Sequence, residues 1–162
     1  MQSFSYKFQS LKLKPVLSID GAISSGDQDH VDGKLQTFNP IYPRGVYYGF
    51  VDNVGSSNLI VVHGKLETSF NTRLKLTLGY YRFWRESAHD GVYLANGAPL
   101  FPSSGKGLHV ADMCDLNLFY TPINNITVQL IAAYDKRAKY LQQQPLTAGD
   151  IGYLGIKTNI AF

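Results

Sequence analysis

The final stretch of the chain, Ile151 to Phe162, constrains the fold more than any other segment. Leu154, Ile156, Thr158, Ile160 and Phe162 fall on one side of a strict alternation, and Tyr153, Lys157 and Asn159 fall on the other. A period of two places successive side chains on opposite faces of a strand. A strand that is apolar on one face, polar on the other and ends on an aromatic residue matches the closing strand of a bacterial outer-membrane barrel. In such barrels the apolar face meets lipid and the polar face lines a lumen.

The alternation recurs along the chain. Phe4, Tyr6 and Phe8 interleave with Ser5, Lys7 and Gln9, and Leu17, Ile19, Gly21 and Ile23 with Ser18, Asp20, Ala22 and Ser24. Ile60, Val62, Gly64, Leu66 and Phe70 interleave with His63, Lys65, Glu67 and Ser69, and Leu74, Leu76, Leu78 and Tyr80 with Lys75, Thr77, Gly79 and Tyr81. Leu116, Leu118 and Tyr120 alternate with Asp115, Asn117 and Phe119, and Ile126, Val128, Leu130, Ala132 and Tyr134 with Thr127, Gln129, Ala133 and Asp135. The pattern predicts about seven strands of roughly ten residues, the length a tilted strand needs to cross a bilayer.

A soluble antiparallel sandwich alternates in the same way, and the connections separate the two architectures. Leu11–Lys14, Asn71–Arg73 and Thr121–Asn125 are short, whereas the segments at 25–56, 86–106 and 136–150 are long, and the two kinds take turns along the chain. Outer-membrane barrels have short periplasmic turns and long external loops. A sandwich has no reason to sort its loops by side. The expected fold is all-β: a single domain over 1–162 forming an antiparallel transmembrane barrel of about 7–8 strands, or the C-terminal part of a larger one.

The aromatic share of 13% includes 11 Tyr and 9 Phe. Tyr47, Tyr48, Phe50, Tyr80, Tyr81, Phe83, Trp84, Phe119, Tyr120 and Tyr134 lie near predicted strand ends, where interfacial girdles are expected. No apolar run is long enough for a spanning helix. The lone cysteine, Cys114, excludes an internal disulfide and falls on the lipid-facing parity with Leu116 and Leu118. The net charge of +3 is mild and its basic residues are scattered, which argues against nucleic acid as a partner. On the inward parity stand Lys7, His63, Lys65, Lys75, Arg85 and Lys157, together with Asp20, Glu67, Asp115 and Asp135. A basic lumen would favour anionic solutes.

Two loops carry the remaining chemistry. Asp27, Asp29 and Asp32 precede Gly33, and clustered carboxylates in a glycine-containing loop can hold calcium. Their spacing is not that of an EF-hand and no glutamate closes the set; Asp and Gly also simply make turns. No metal and no cofactor is expected, with those three aspartates as the only metal candidates. The proline- and aromatic-containing stretch Thr37 to Pro43 reads as a rigid packed loop able to fold into a pore mouth and restrict it. Ser87, His89 and Asp90 lie close in sequence, but adjacency does not hold a base between a nucleophile and an acid, so no catalytic residues are expected.

In chain order, Ser25-Gly26-Asp27, Thr37-Phe38-Asn39-Pro40, Pro43, Tyr48-Gly49, Ser57-Asn58-Leu59, Phe83-Trp84-Arg85-Glu86-Ser87 and Asp90-Gly91-Val92-Tyr93 resemble the C-terminal region of the alginate export family. The resemblance runs from about Ser18 to Phe162. Members of that family are outer-membrane barrels that pass alginate, an anionic polysaccharide, or related solutes out of the cell through a narrow, arginine-rich lumen. The resemblance implies a pore role for Arg85, and for Arg82 and Arg44 in matching regions, although Arg82 falls on the lipid-facing parity of its strand.

Complete members are considerably longer. This chain enters a strand almost at once after Met1 and shows no signal peptide. An odd number of strands would leave edges with unpaired backbone groups in lipid. The expectation is a fragment, or a small barrel closed by a further strand around Val46–Val51. The expected function is passive export of anionic polysaccharide across the bacterial outer membrane. Expected partners are outer-membrane lipid, that polysaccharide or small anionic solutes, and the barrel-assembly machinery through Phe162. The alternatives are a general porin-like barrel without polysaccharide preference, and a soluble β-sandwich or lipocalin-like binding module whose dry core would hold Leu74, Leu76, Leu78, Ile156 and Ile160.

Overall fold

The computed structural model describes residues 2–29, 31–42, 48–51, 54–101, 107–142 and 149–161. Seven strands form one antiparallel sheet, each paired with its sequence neighbours in the sheet. These are β1 (Gln2–Lys7), β2 (Val16–Ser24), β3 (Leu59–Ser69), β4 (Leu74–Trp84), β7 (His109–Ile123), β8 (Ile126–Arg137) and β9 (Ile151–Ile160). The long loop after β4 carries a small separate hairpin, β5 (Val92–Tyr93) with β6 (Pro99–Phe101), and the loop after β8 carries one helical turn, α1 (Lys139–Gln142). Such a meander follows from the sequence, since β-branched and aromatic residues alternate with polar ones and turn residues punctuate them.

Register turns the alternation into two faces. One row runs Leu17, Leu66, Leu78, Leu116, Ala132, Leu154 across six strands. The adjoining position on the other face runs Ser18, Lys65, Gly79, Asp115, Ala133, Tyr153. The leucine face is open: Leu154 is 86% exposed and Ile156 76%, with Ile160, Leu66, Leu78, Leu116 and Leu130 also exposed. Among the described residues no second sheet covers it, so Leu78, Ile156 and Ile160 are not the dry core that a sandwich requires. The buried apolar cluster lies instead on the polar face near the long loops, where Leu59, Val61, Phe83, Ala111 and Met113 pack with Val92, Val110, Tyr140 and Leu141. An apolar exterior and a polar interior are what a sheet facing lipid needs. Leu78→Arg should therefore cost about 2–4 kcal/mol of stability in a bilayer while leaving the fold intact. Urea titration of the vesicle-inserted protein measures this; complete failure to fold would instead indicate a packed core.

Several sequence expectations are corrected here. β7 begins at His109 and runs to Ile123, longer at both ends than the alternation at 115–120 suggested, and β8 runs on to Arg137. The turn between them narrows accordingly to residues 124–125. Of the expected girdle aromatics, Tyr80, Tyr120 and Tyr134 do stand exposed in the leucine-face rows. Tyr81, Phe83 and Phe119 sit one position out of phase with these, so the pleat turns them to the inner face. Tyr47 lies outside the described residues. Residues 48–51 form bends rather than a strand, so they supply no extra closing strand, and Val46 lies outside the described residues. β1 and β9 are the two edges of the sheet and do not pair with each other. No helix among the described residues is long and apolar enough to cross a membrane, which has no bearing on crossing by strands.

Candidate functional site

The inner face is a surface of paired polar groups. Glu67 accepts from both Lys65 (3.0 Å) and Lys75 (2.8 Å), and His63 Nδ1 lies 3.3 Å from Asp20. The His63 ring stacks on Tyr81 at 3.9 Å between centroids, and Tyr81 lies parallel to Phe83 at 6.0 Å. Asn117 donates to Asp115 (3.1 Å) and accepts from Gln129 (2.8 Å), a buried ladder across β7 and β8. Lys7 stands opposite Val16, and Lys157 opposite Gln129. The structure thus brings Lys7, His63, Lys65, Lys75 and Lys157 to one face, but mixed with carboxylates and not as a uniformly basic lining. Asn117, Gln129 and Arg137 share this face and were not among the sequence candidates. Their parity, continued from Asp115 and Asp135, was the available signal, and Arg137 was hidden by ending its strand two residues early.

Part of the first long loop folds onto this face. Phe50 stacks on Tyr153 of β9 at 6.3 Å, nearly parallel, and Tyr48 meets Phe83 edge-on at 6.0 Å. Between them Gly49 has φ +68, and a Cβ there would come within 1.9 Å of Met113 Cε. Only glycine combines that backbone conformation with so close an approach. The segment 48–51 therefore crosses the inner face from β4 to β9.

The arginines behave differently from the lysines. Arg85 is fully buried. Its guanidinium donates to the carbonyls of Gly107, Ala88 (3.2 Å) and Asp90 (2.9 Å), and it lies 3.9 Å over the Tyr140 ring. Burial pulls its pKa below the usual guanidinium value, but an arginine stays ionised under any physiological condition. Its donors thus hold loop carbonyls and do not present a charge to a lumen. Arg82 is on the leucine face, with Nε 3.5 Å from Asp112 and its guanidinium 5.4 Å from the Trp84 ring centroid. The register shift in this ladder falls between Phe83 and Trp84, beyond Arg82, so no bulge turns it inward. Arg44 and Phe162 lie outside the described residues.

The loop motifs lock to one another. Asn58, buried and at φ +48, donates to the carbonyls of Ser87 (3.1 Å) and Gly91 (2.8 Å) and accepts from Ser87 N–H (2.6 Å). Gly26 packs so tightly on it that a Cβ would overlap the Asn58 amide. Glu86 accepts from Gly26 N–H (2.9 Å). Asp90 accepts from Asp27 N–H (2.8 Å), the Thr37 hydroxyl (2.6 Å), the Tyr93 hydroxyl (2.6 Å) and Gly91 N–H (2.7 Å). Burial alone would raise the Asp90 carboxyl, but these four donors outweigh it and hold the pKa below its ordinary 3.8. Ser87 Oγ accepts from His89 N–H, so the Ser87 and Asp90 side chains are engaged in holding the loops.

A carboxyl with a depressed folded pKa stabilises above the unfolded value, and that contribution is lost as pH falls through the folded one. The lock should hold at neutral and mildly acidic pH and loosen below about pH 4. Limited proteolysis by an acid-active protease should show loop cleavage rising there, and a protease active at neutral pH should already cleave the loops of Asp90→Asn at about pH 7. If wild type and Asp90→Asn are cleaved alike at neutral pH, the carboxylate does not hold the lock.

The aspartates of the first loop make turns. Asp27 accepts from Asp29 N–H, Asp29 from Val31 N–H and Asp32 from Lys34 N–H, each two residues on, and Asp32 also faces Lys34 Nζ at 3.6 Å. Among the described residues no group of three or more His, Cys, Asp or Glu side chains is placed to hold a metal ion.

Comparison with known proteins is consistent with this geometry. No curated protein matches the chain. A family model described as alginate export matches residues 2–145, which takes in every strand except β9 and both locked loops. The chain belongs to the alginate export family, a transport family of outer-membrane proteins that export polysaccharide.

Proposed function

We propose that this chain forms part of the wall of an outer-membrane channel that passes an anionic polysaccharide passively outward. The observation that carries the reading is the partition of the sheet: a continuous leucine face open to lipid backed by a face of lysines, carboxylates and amides. Carboxylates of a uronate polymer would exchange part of their hydration for Lys7, Lys65, Lys75 and Lys157. Because Glu67 already engages two of these, each site is weak, which lets a polymer move on instead of binding tightly. The Tyr48–Val51 segment restricts the passage. Outer-membrane lipid contacts the leucine face, and Phe162 would engage the barrel-assembly machinery.

The mutual neutralisation of Lys65, Lys75 and Glu67 also favours a second reading, a porin-like wall without polysaccharide preference. Current recordings in planar bilayers separate the two. Export predicts interruptions of the current by uronate oligomers that neutral oligosaccharides of equal length do not cause. Equal interruption by both would support the porin-like reading. Gly49→Leu, which the Met113 contact cannot accommodate, should displace the loop and raise the conductance severalfold; unchanged conductance would mean that the loop does not narrow the path.

A further inference from the structure

The charges on the inner face are not mixed evenly along the strands. Lys7 is the last residue of β1 before a short turn, Lys75 follows the next short turn directly, and Lys157 lies near the end of β9. Lys12, Lys14 and Arg73 lie in the short turns themselves. Among the described acidic residues, Glu67 alone belongs to this end. Asp115 and Asp135 occupy the half of β7 and β8 nearer the long loops, with Arg137 on the same face at the end of β8; Asp20 is at the middle of β2, and the remaining described acids fall near or in the long loops. Lys7 and Lys157 form no ion pair among the described residues. Nothing in a lipid-facing requirement sorts inward charges by height.

We infer that the inner face is electrically polarised along the strands, with a lysine-rich short-turn end that takes up an anionic polymer and a carboxylate-bearing long-loop end that disfavours its return. The inference rests on the export reading for its biological sense and on the positions of the charges for its physics. Short turns face the periplasm and long loops the exterior, so the polarity points outward. A polyanion meets an attractive potential at the entrance and a repulsive one beyond it. A passive pathway cannot pump, but such a profile gives different capture rates from its two sides.

Thiol reporters measure the local potential without requiring polymer passage. In a Cys114→Ala background, Asn159→Cys reports the short-turn end and Tyr153→Cys the long-loop end of the same strand, both exposed on the inner parity. The full chain in lipid vesicles is treated with anionic sulfonatoethyl and cationic trimethylammonioethyl methanethiosulfonate. The ratio of anionic to cationic reaction rates should be about fivefold or more higher at Asn159→Cys than at Tyr153→Cys in low salt, and the difference should shrink in molar salt. Adding Lys75→Gln and Lys157→Gln should collapse it. Ser69→Cys, opposite Lys75 on the inner face, is a second short-turn reporter should Asn159→Cys disturb β9. Equal ratios at the two ends, or a reversed order, would overturn the inference. Polarity present with no effect of uronate oligomers on the current would leave it standing and overturn the export reading instead.

Discussion

Arg85→Ala is expected to destabilise the protein by about 4–6 kcal/mol while leaving ion selectivity unchanged. The substitution strands the carbonyls of Gly107, Ala88 and Asp90 in a buried site and removes the cation from the Tyr140 face. Each buried acceptor left without a donor costs about 1–3 kcal/mol. Arg85→Lys should recover only a minor part, because an ammonium cannot serve separated carbonyls with a planar fork. The measurement is a urea titration of the vesicle-inserted protein alongside its reversal potential in a salt gradient. A pore-lining arginine would give the opposite result, a selectivity change with little loss of stability.

Asn58→Ala is the second large effect, expected at about 3–5 kcal/mol. It removes two donated bonds and one accepted bond that join the first long loop to the second. It also forces a Cβ residue without a polar side chain into the left-handed region at φ +48, at about 1–2 kcal/mol. Asn58→Gly separates the two contributions, since it relieves the backbone but restores no bond, and should lie about 1 kcal/mol above Asn58→Ala. Proteolysis should cut both long loops faster in each variant. If only the loop at residues 25–58 becomes sensitive, Asn58 is not the link between them.

These two residues show what local pattern can and cannot convey. Inward lysines such as Lys65 and Lys75 were legible because strand parity is a strictly local property, and the pairing with Glu67 needed only the hairpin between β3 and β4. Arg85 matched a family motif and continued the inward parity, so it read as a lumen charge. Just past Trp84, where β4 ends, parity no longer applies and the chain turns its guanidinium into the loop carbonyls. Arg82 kept its parity, and the structure leaves it on the leucine face as the alternation alone indicated. The motif residues Gly26, Asn58 and Asp90 were recognisable as a set but not as partners, since their contacts span loops whose path depends on the strands that bring them together.

Sequence alone determined the antiparallel meander, the two faces and the sorting of short turns from long loops, because a period of two and turn chemistry act over a few residues. Tertiary structure decided that the loop motifs bind each other, that Gly49 carries its segment against Met113, and that Arg85 turns into the carbonyls of Ala88, Asp90 and Gly107. Those outcomes depend on register between distant strands and on side-chain donors finding acceptors across a fold, which no local periodicity encodes.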